Sequence, residues 1–235
     1  YCRNMPLSLV FSLDRQVVIG YCISKGFPPM ESANMKTILI ITVILPAVAY
    51  ATVHRVPSEY QSIQAAIDVS VNGDSVIVAP GRYVDNLNFG NKSIVVTSQF
   101  GALVTFLEPE DTTAHLAQFS GGSSELSGFS LSRAKPNHAV DIRNASPSIL
   151  RNTFSNCGSP YAGGAVVYSG GISNFQLRQN VFWSNASTQV VVFVTDFCYP
   201  TITNNSIHSG STGITLWSNA YLTGNTVSGC GRGIS

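Results

Sequence analysis

Charge is scarce in this 235-residue chain: only 11% of its residues are Asp, Glu, Lys or Arg. With 44% hydrophobic residues it is too apolar for intrinsic disorder, and too poor in Lys and Arg for a nucleic-acid surface. The formal net charge is +1; without residues 1–51 it is 1 − 4 + 2 = −1, since Arg3, Arg15, Lys25 and Lys36 leave together with Asp14 and Glu31. Neither sign steers an anionic partner. Carboxylates thin out further along the chain, where only Glu125, Asp141 and Asp196 follow Gly121. The apolar stretch Thr37–Val48 is interrupted by Pro46 and is too short to span a bilayer.

That stretch has the parts of an export signal. Met30 and Met35 are two candidate starts, Lys36 is a positive n-region, and Ala49-Tyr50-Ala51 fits an A-x-A cleavage site. We expect residues 35–51 to be a signal peptide, residues 1–34 to be upstream sequence, and residues 52–235 to be the mature domain. No membrane span is expected after cleavage, and a secreted, cell-surface or periplasmic location follows. Export permits disulfides, and Cys157, Cys198 and Cys230 remain after cleavage. Cys157 and Cys230 occupy equivalent repeat positions three repeats apart, about 14 Å at the spacing of stacked strands. That is too far for a disulfide bond. The cysteine spacings match no zinc pattern.

What the chain has in place of charge is a repeat. Leu126–Leu131, Ile149–Phe154, Leu177–Phe182, Ile202–Ile207 and Leu222–Val227 align, each with an aliphatic first residue and an apolar sixth. Asn152, Asn180, Asn205 and Asn225 share the fourth place, where the first segment has Phe129. The steps are 152 − 129 = 23, 180 − 152 = 28, 205 − 180 = 25 and 225 − 205 = 20. Such a period means one supersecondary unit per repeat, stacked on its neighbours. Short strands, turn-rich intervals and no helical period predict an all-β parallel solenoid. The four asparagines then form an inward ladder whose amides bond to one another and to turn backbone. A second alternation, Val140/Ile142, Val166/Tyr168, Val191/Phe193, Ile214/Leu216 and Ile234, is expected to point inward. Val167, Val192 and Thr215 would then flank Asp141 on the outside, with Val192 and Val194 exposed and asking for a cover.

The start of the mature domain has a different pattern. Ile63, Ala66, Ile67 and Val71 are spaced as on a helix over Tyr60–Val71, which Ser58 or Ser62 would cap and Asn72-Gly73 would stop. Strands are expected at Ser75–Ala79, Ser93–Thr97 and Leu103–Phe106. The short helix would cap the first coil.

Tyr60–Thr97, with YQSIQAAID, NGDSVIVAPGRYVDNLNF and KSIVVTS, resembles the opening of right-handed parallel β-helix proteins of the pectin-lyase-like group. The later N-x-[FIV] repeats resemble those of its carbohydrate-binding and sugar-hydrolase type and of the periplasmic NosD-like proteins. The resemblance spans about residues 54–235 and implies a right-handed β-helix. It leaves activity open, because one fold hosts many functions.

Polysaccharide chemistry makes definite demands. A calcium-dependent lyase needs clustered carboxylates and a base, and a glycosidase needs two carboxylates about 5–10 Å apart. Asp141, Arg143 and Asp196 are the weak catalytic candidates; Asp141 and Arg143 read more simply as a surface ion pair. Glu108, Glu110 and Asp111 read as a solvated loop, and His115, His138 and His208 as dispersed residues offering no metal site or triad. Binding is better served: Trp183 and Trp217 follow inward residues and should point out, and Tyr161 and Tyr199 lie in Pro-containing loops, where rings can stack on sugars. Three readings stay open: a noncatalytic binder of polysaccharide or cell-surface glycan, a lyase or hydrolase with key residues outside this sequence, and a NosD-like accessory protein. No cofactor and no metal are expected. The last repeat stops at Ile234-Ser235, inside a coil, so a C-terminal continuation is expected.

Overall fold

The computed structural model describes residues 10–13, 16–19, 50–134, 137–158, 165–185, 189–195 and 197–235, and two compact units divide the chain after Tyr50. In the first unit, strands Val10–Leu13 and Gln16–Ile19 pair antiparallel. The expected signal peptide, apart from Tyr50 and Ala51, lies outside the described residues.

The second unit is a parallel β-solenoid with three faces. The first face is an eight-stranded sheet of Val53–Val56, Ser75–Val78, Val95–Ser98, Glu125–Ser127, Ser148–Leu150, Gln176–Arg178, Thr201–Thr203 and Tyr221–Thr223. The second face begins at Gly81–Val84 and passes through Thr105–Glu108, Ser130–Ser132, Thr153–Ser155 and Val181–Trp183. The third stacks Leu87–Asn88, Ala117–Phe119, Val140–Arg143, Ala165–Gly170 and Val190–Val194. Ser206–Leu216 and Thr226–Ile234 run around the corner between them and join both faces into one twelve-stranded sheet. Parallel strands joined by such crossovers wind right-handed.

The aligned segments supply the core columns. Leu126, Ile149, Leu177, Ile202 and Leu222 stack in register on the first face. Leu131, Phe154, Phe182, Ile207 and Val227 do so on the second. Between these faces the backbone turns through a left-handed residue, Gly128, Arg151, Gln179, Asn204 or Gly224, each with φ between 52° and 76°. The asparagine that follows secures the turn. Asn152, Asn180 and Asn205 each accept at Oδ1 the N–H of the equivalent residue one coil earlier, Phe129, Asn152 and Asn180, at 2.9 Å. Asn225 does the same for Asn205 at 3.0 Å. The four Nδ2 groups donate to the carbonyls of Leu126, Ile149, Leu177 and Ile202 at 2.7–2.9 Å. A second asparagine corner went unread in the sequence: buried Asn185 accepts from Cys157 N and donates to Phe154 O.

The expected helix forms as Ile63–Val69, with Ser62 rather than Ser58 as its N-cap. Its buried face, Ile63, Ala66 and Ile67, packs on the first strands. Lys92, from the following coil, anchors the other end: its Nζ donates to the carbonyls of Ile67, Asp68 and Ser70 at 2.5, 2.8 and 2.9 Å. A cation there also meets the negative end of the helix dipole.

The third face departs from expectation by one residue. Val140 pairs with Val167, Val192 and Ile214, and Asp141 with Tyr168, Phe193 and Thr215. Tyr168 and Phe193 therefore belong to the outward row, and Val167, Val192 and Val194 are fully buried in the core. Val192 and Val194 therefore need no cover. The misreading has a physical source. Ala165–Val167 and Val190–Val194 are unbroken apolar runs, and a run without alternation carries no phase. Glu108, expected in a loop, instead ends a strand and pairs with Arg82 and Arg133 at 3.3 and 3.1 Å.

Candidate functional site

The corrected register builds two features. The first is a row of rings on the outside of the third face. His115 stacks on His138 (centroids 5.2 Å, interplanar angle 5°), and His138 on Tyr168 (4.9 Å, 10°). Phe193 then meets Tyr168 at 5.8 Å, and Trp217 meets Phe193 at 4.8 Å, both edge to face. His115 and His138, read as dispersed, are neighbours because 138 − 115 = 23, one coil. Asp141 lies among them and is not a surface residue: its side chain is fully buried, while Arg143 beside it is half exposed. Arg143 Nε donates to Asp141 Oδ2 at 2.9 Å and its guanidinium lies 5.2 Å over the Tyr168 ring. His115 Nε2 is 3.8 Å from the same Oδ2.

Burial holds the His138 imidazole below its ordinary value; the Ala165 carbonyl, accepting from Nδ1 at 2.9 Å, opposes this, and neighbouring His115 reinforces it. An imidazole kept neutral in the fold takes up its proton more readily when unfolded. Stability is therefore complete above the ordinary histidine value and is lost as pH falls below it. We expect the melting temperature to drop as pH falls below roughly 6.5. The drop should shrink in His138→Phe, and thermal scans that fall equally in both proteins would contradict the assignment.

The second feature is the corner between the third and first faces. Phe197 (φ 64°) and Trp217 are 71% and 62% exposed, although both are large and apolar. The bridge between Ser173 and Cys198 sets exposed Ile172 beside Phe197, and Ser218 Oγ, donating to Cys198 O at 2.7 Å, sets Trp217 on its other side. Tyr199 and Tyr221, also exposed, line a shallow cleft with Pro200, Thr201, Asn219 and Ala220. Of the expected binding residues, Trp217 and Tyr199 thus share this corner. Trp183 is exposed on the second face, away from them, with Ser155 as its partner in register. Tyr161 and Asp196 lie outside the described residues. Ile172, Phe197 and Tyr221 were missed in the sequence. The alignment of Ser173 with Cys198 could have found the first two.

The chain is thus a parallel β-solenoid with an outward row of rings on its third face and an exposed apolar corner. A family model described as "Periplasmic copper-binding protein (NosD)" matches residues 68–235, and the chain belongs to that family. No curated protein and no solved structure matches. Among the described residues no helix is long and apolar enough to cross a membrane.

The copper in the family's description finds no matching donor set here. Soft copper sites draw on Cys, Met and His. All three methionines, Met5, Met30 and Met35, precede the solenoid. The His115 and His138 rings lie in nearly parallel planes, so their in-plane lone pairs do not converge on one ion. Among the described residues no group of three or more His, Cys, Asp or Glu converges either. The described residues do not fit the ion.

Proposed function

We propose that this NosD-family solenoid is an exported, noncatalytic wall that binds an extracellular or cell-surface polysaccharide along its apolar corner. The observation that carries the reading is the exposed line Ile172, Phe197 and Trp217, one residue per coil, beside the Tyr199–Tyr221 cleft. Coils rise by about 4.8 Å, close to the advance of an extended glycan per sugar ring. A chain running parallel to the solenoid axis would present one ring face to each coil. Rigid aromatic faces give large contacts at low entropic cost. Export is supported by the family's periplasmic description and by the Ala49-Tyr50-Ala51 pattern.

The test is retardation of the folded protein in native gels containing different polysaccharides. Trp217→Ala should weaken binding roughly tenfold while leaving the fold intact, since an exposed ring contributes to contact rather than core. Equal retardation of both proteins in every gel that retards the parent would sink the reading.

The family match favours a second reading, an accessory protein handling copper in the periplasm. It predicts stoichiometric copper uptake by calorimetry. Our reading predicts none by the solenoid residues, and uptake that survives truncation of residues 1–51 would favour the second.

A further inference from the structure

The buried polar group beside the ring row is not used by binding at the apolar corner. Asp141 Oδ1 and His115 Nδ1 are both buried, and neither has a hydrogen-bond partner among the described residues. A buried polar atom without a partner is costly, and a charged one more so. Two such atoms, on side chains that approach one another to 3.8 Å, mark a place where something else supplies the partner.

The chemistry of that partner follows from the protons. Asp141 Oδ2 already accepts from Arg143 Nε, and the other edge of His115, Nε2, faces the same oxygen at 3.8 Å. The carboxylate favours the His115 tautomer with its proton on Nε2, which leaves Nδ1 a bare acceptor. The stack with His138 fixes the ring in that attitude. The unfilled atoms are therefore two acceptors, and they call for two donors. A metal ion would want a third protein ligand, and no cluster of three occurs among the described residues. A primary ammonium group would sit against the guanidinium of Arg143. Hydroxyl groups can donate to both acceptors without adding charge. The Nη groups of half-exposed Arg143 have no partner among the described residues and can donate to a third sugar oxygen.

We propose that Asp141, His115 and Arg143 form a subsite for the vicinal diol of a pyranoside, entered by displacing the Arg143 side chain. The subsite rests on the glycan-binding reading and deepens it. The ring row through His138, Tyr168 and Phe193 leads from this subsite to Trp217, so one glycan lying along the axis can occupy both.

The probe is a methyl pyranoside with a free vicinal diol, titrated into the intact chain while the imidazole nitrogens are followed by NMR. We expect the His115 Nδ1 signal to move on saturation, and the matching deoxy sugar to leave it in place. Asp141→Asn, nearly the same in shape, should weaken the diol roughly ten- to a hundredfold, the worth of a hydrogen bond to a charged group. Arg143→Gln, at a half-exposed position, should weaken it severalfold, and it carries the test if Asp141→Asn fails to fold. An unmoved His115 signal, or equal binding of the deoxy sugar, overturns the subsite. If polymers still bind through Trp217 while these probes do nothing, the subsite is wrong and the wall reading stands. If the small diol moves His115 but no polymer is retained, the subsite stands and the wall reading falls.

Discussion

Replacing Asn180 by alanine should cost about 3–5 kcal/mol, close to the loss of a large core side chain, although it removes only one small polar group. The reason lies in what is left behind. Asn180 is fully buried and serves three partners: it accepts from Asn152 N at 2.9 Å and donates to Ile149 O at 2.9 Å and to Asn205 Oδ1 at 3.0 Å. Alanine leaves a donor and two acceptors without these bonds inside the wall. Each stranded buried group costs about 1–3 kcal/mol; Asn205 Oδ1 keeps the backbone N–H of residue 180, so the loss falls mainly on Asn152 N and Ile149 O. The left-handed Gln179 before it (φ 57°) loses the bond that holds its turn in place. Urea titration checks this. A midpoint shift worth less than about 1 kcal/mol would mean that water replaces the amide and the ladder is not cooperative.

The ladder was legible because asparagine recurs at a fixed offset between two apolar positions, and nothing but a repeated turn asks for that. The left-handed residue ahead of it was not legible. Arg151, Gln179 and Asn204 hold φ angles of 52–57°, where glycine would be the signal, and only Gly128 and Gly224 give that signal. The asparagine bond over-determines the turn and lets ordinary side chains take the strain. Asn185 escaped for a different reason: its equivalents are Cys157, Gly210 and Cys230, so no column of like residues announces it.

The site was less legible than the fold, and for one physical reason. Register on the third face depends on where the strand begins, and a valine run begins anywhere. A slip of one residue exchanged the two sides of the wall. It hid Tyr168 and Phe193 in the core and put Val192 on the surface. Once Tyr168 stands outside, Asp141 and Arg143 acquire a ring beside them and cease to be a plain surface pair. The histidines carried a signal that does not depend on the valines. His115-Leu116-Ala117 and His138-Ala139-Val140 keep the 23-residue step of the first two repeats. The exposed tryptophans were readable because each follows a core residue on an alternating strand, Phe182 before Trp183 and Leu216 before Trp217.

Phe182→Ala should cost about 3–5 kcal/mol, the usual range for emptying a phenylalanine site. It should also cost it unevenly along the molecule. Phe182 is fully buried in the second-face column, stacked on Phe154 at 4.7 Å and paired in register with Ile207 in the next coil. In a globule the cavity would be shared by contacts from all sides. A solenoid coil touches only the coils before and after it, so the lost contacts fall on two interfaces. The coils beyond residue 182 then hold to the rest through a weakened joint. Hydrogen exchange should show this as faster exchange from Val190–Val194 through Tyr221–Thr223, with Ser75–Val78 and Val95–Ser98 nearly unchanged. Most of the apolar corner lies in the loosened region, because Phe197, Tyr199, Trp217 and Tyr221 follow residue 182 and only Ile172 precedes it. On the proposed glycan-binding reading, Phe182→Ala should therefore weaken retention from a distance, whereas Phe182→Leu, which keeps most of the volume, should lose little of either stability or retention. Uniform acceleration of exchange over the whole solenoid would show that it unfolds as one cooperative unit, and the linear picture of its stability would have to be given up.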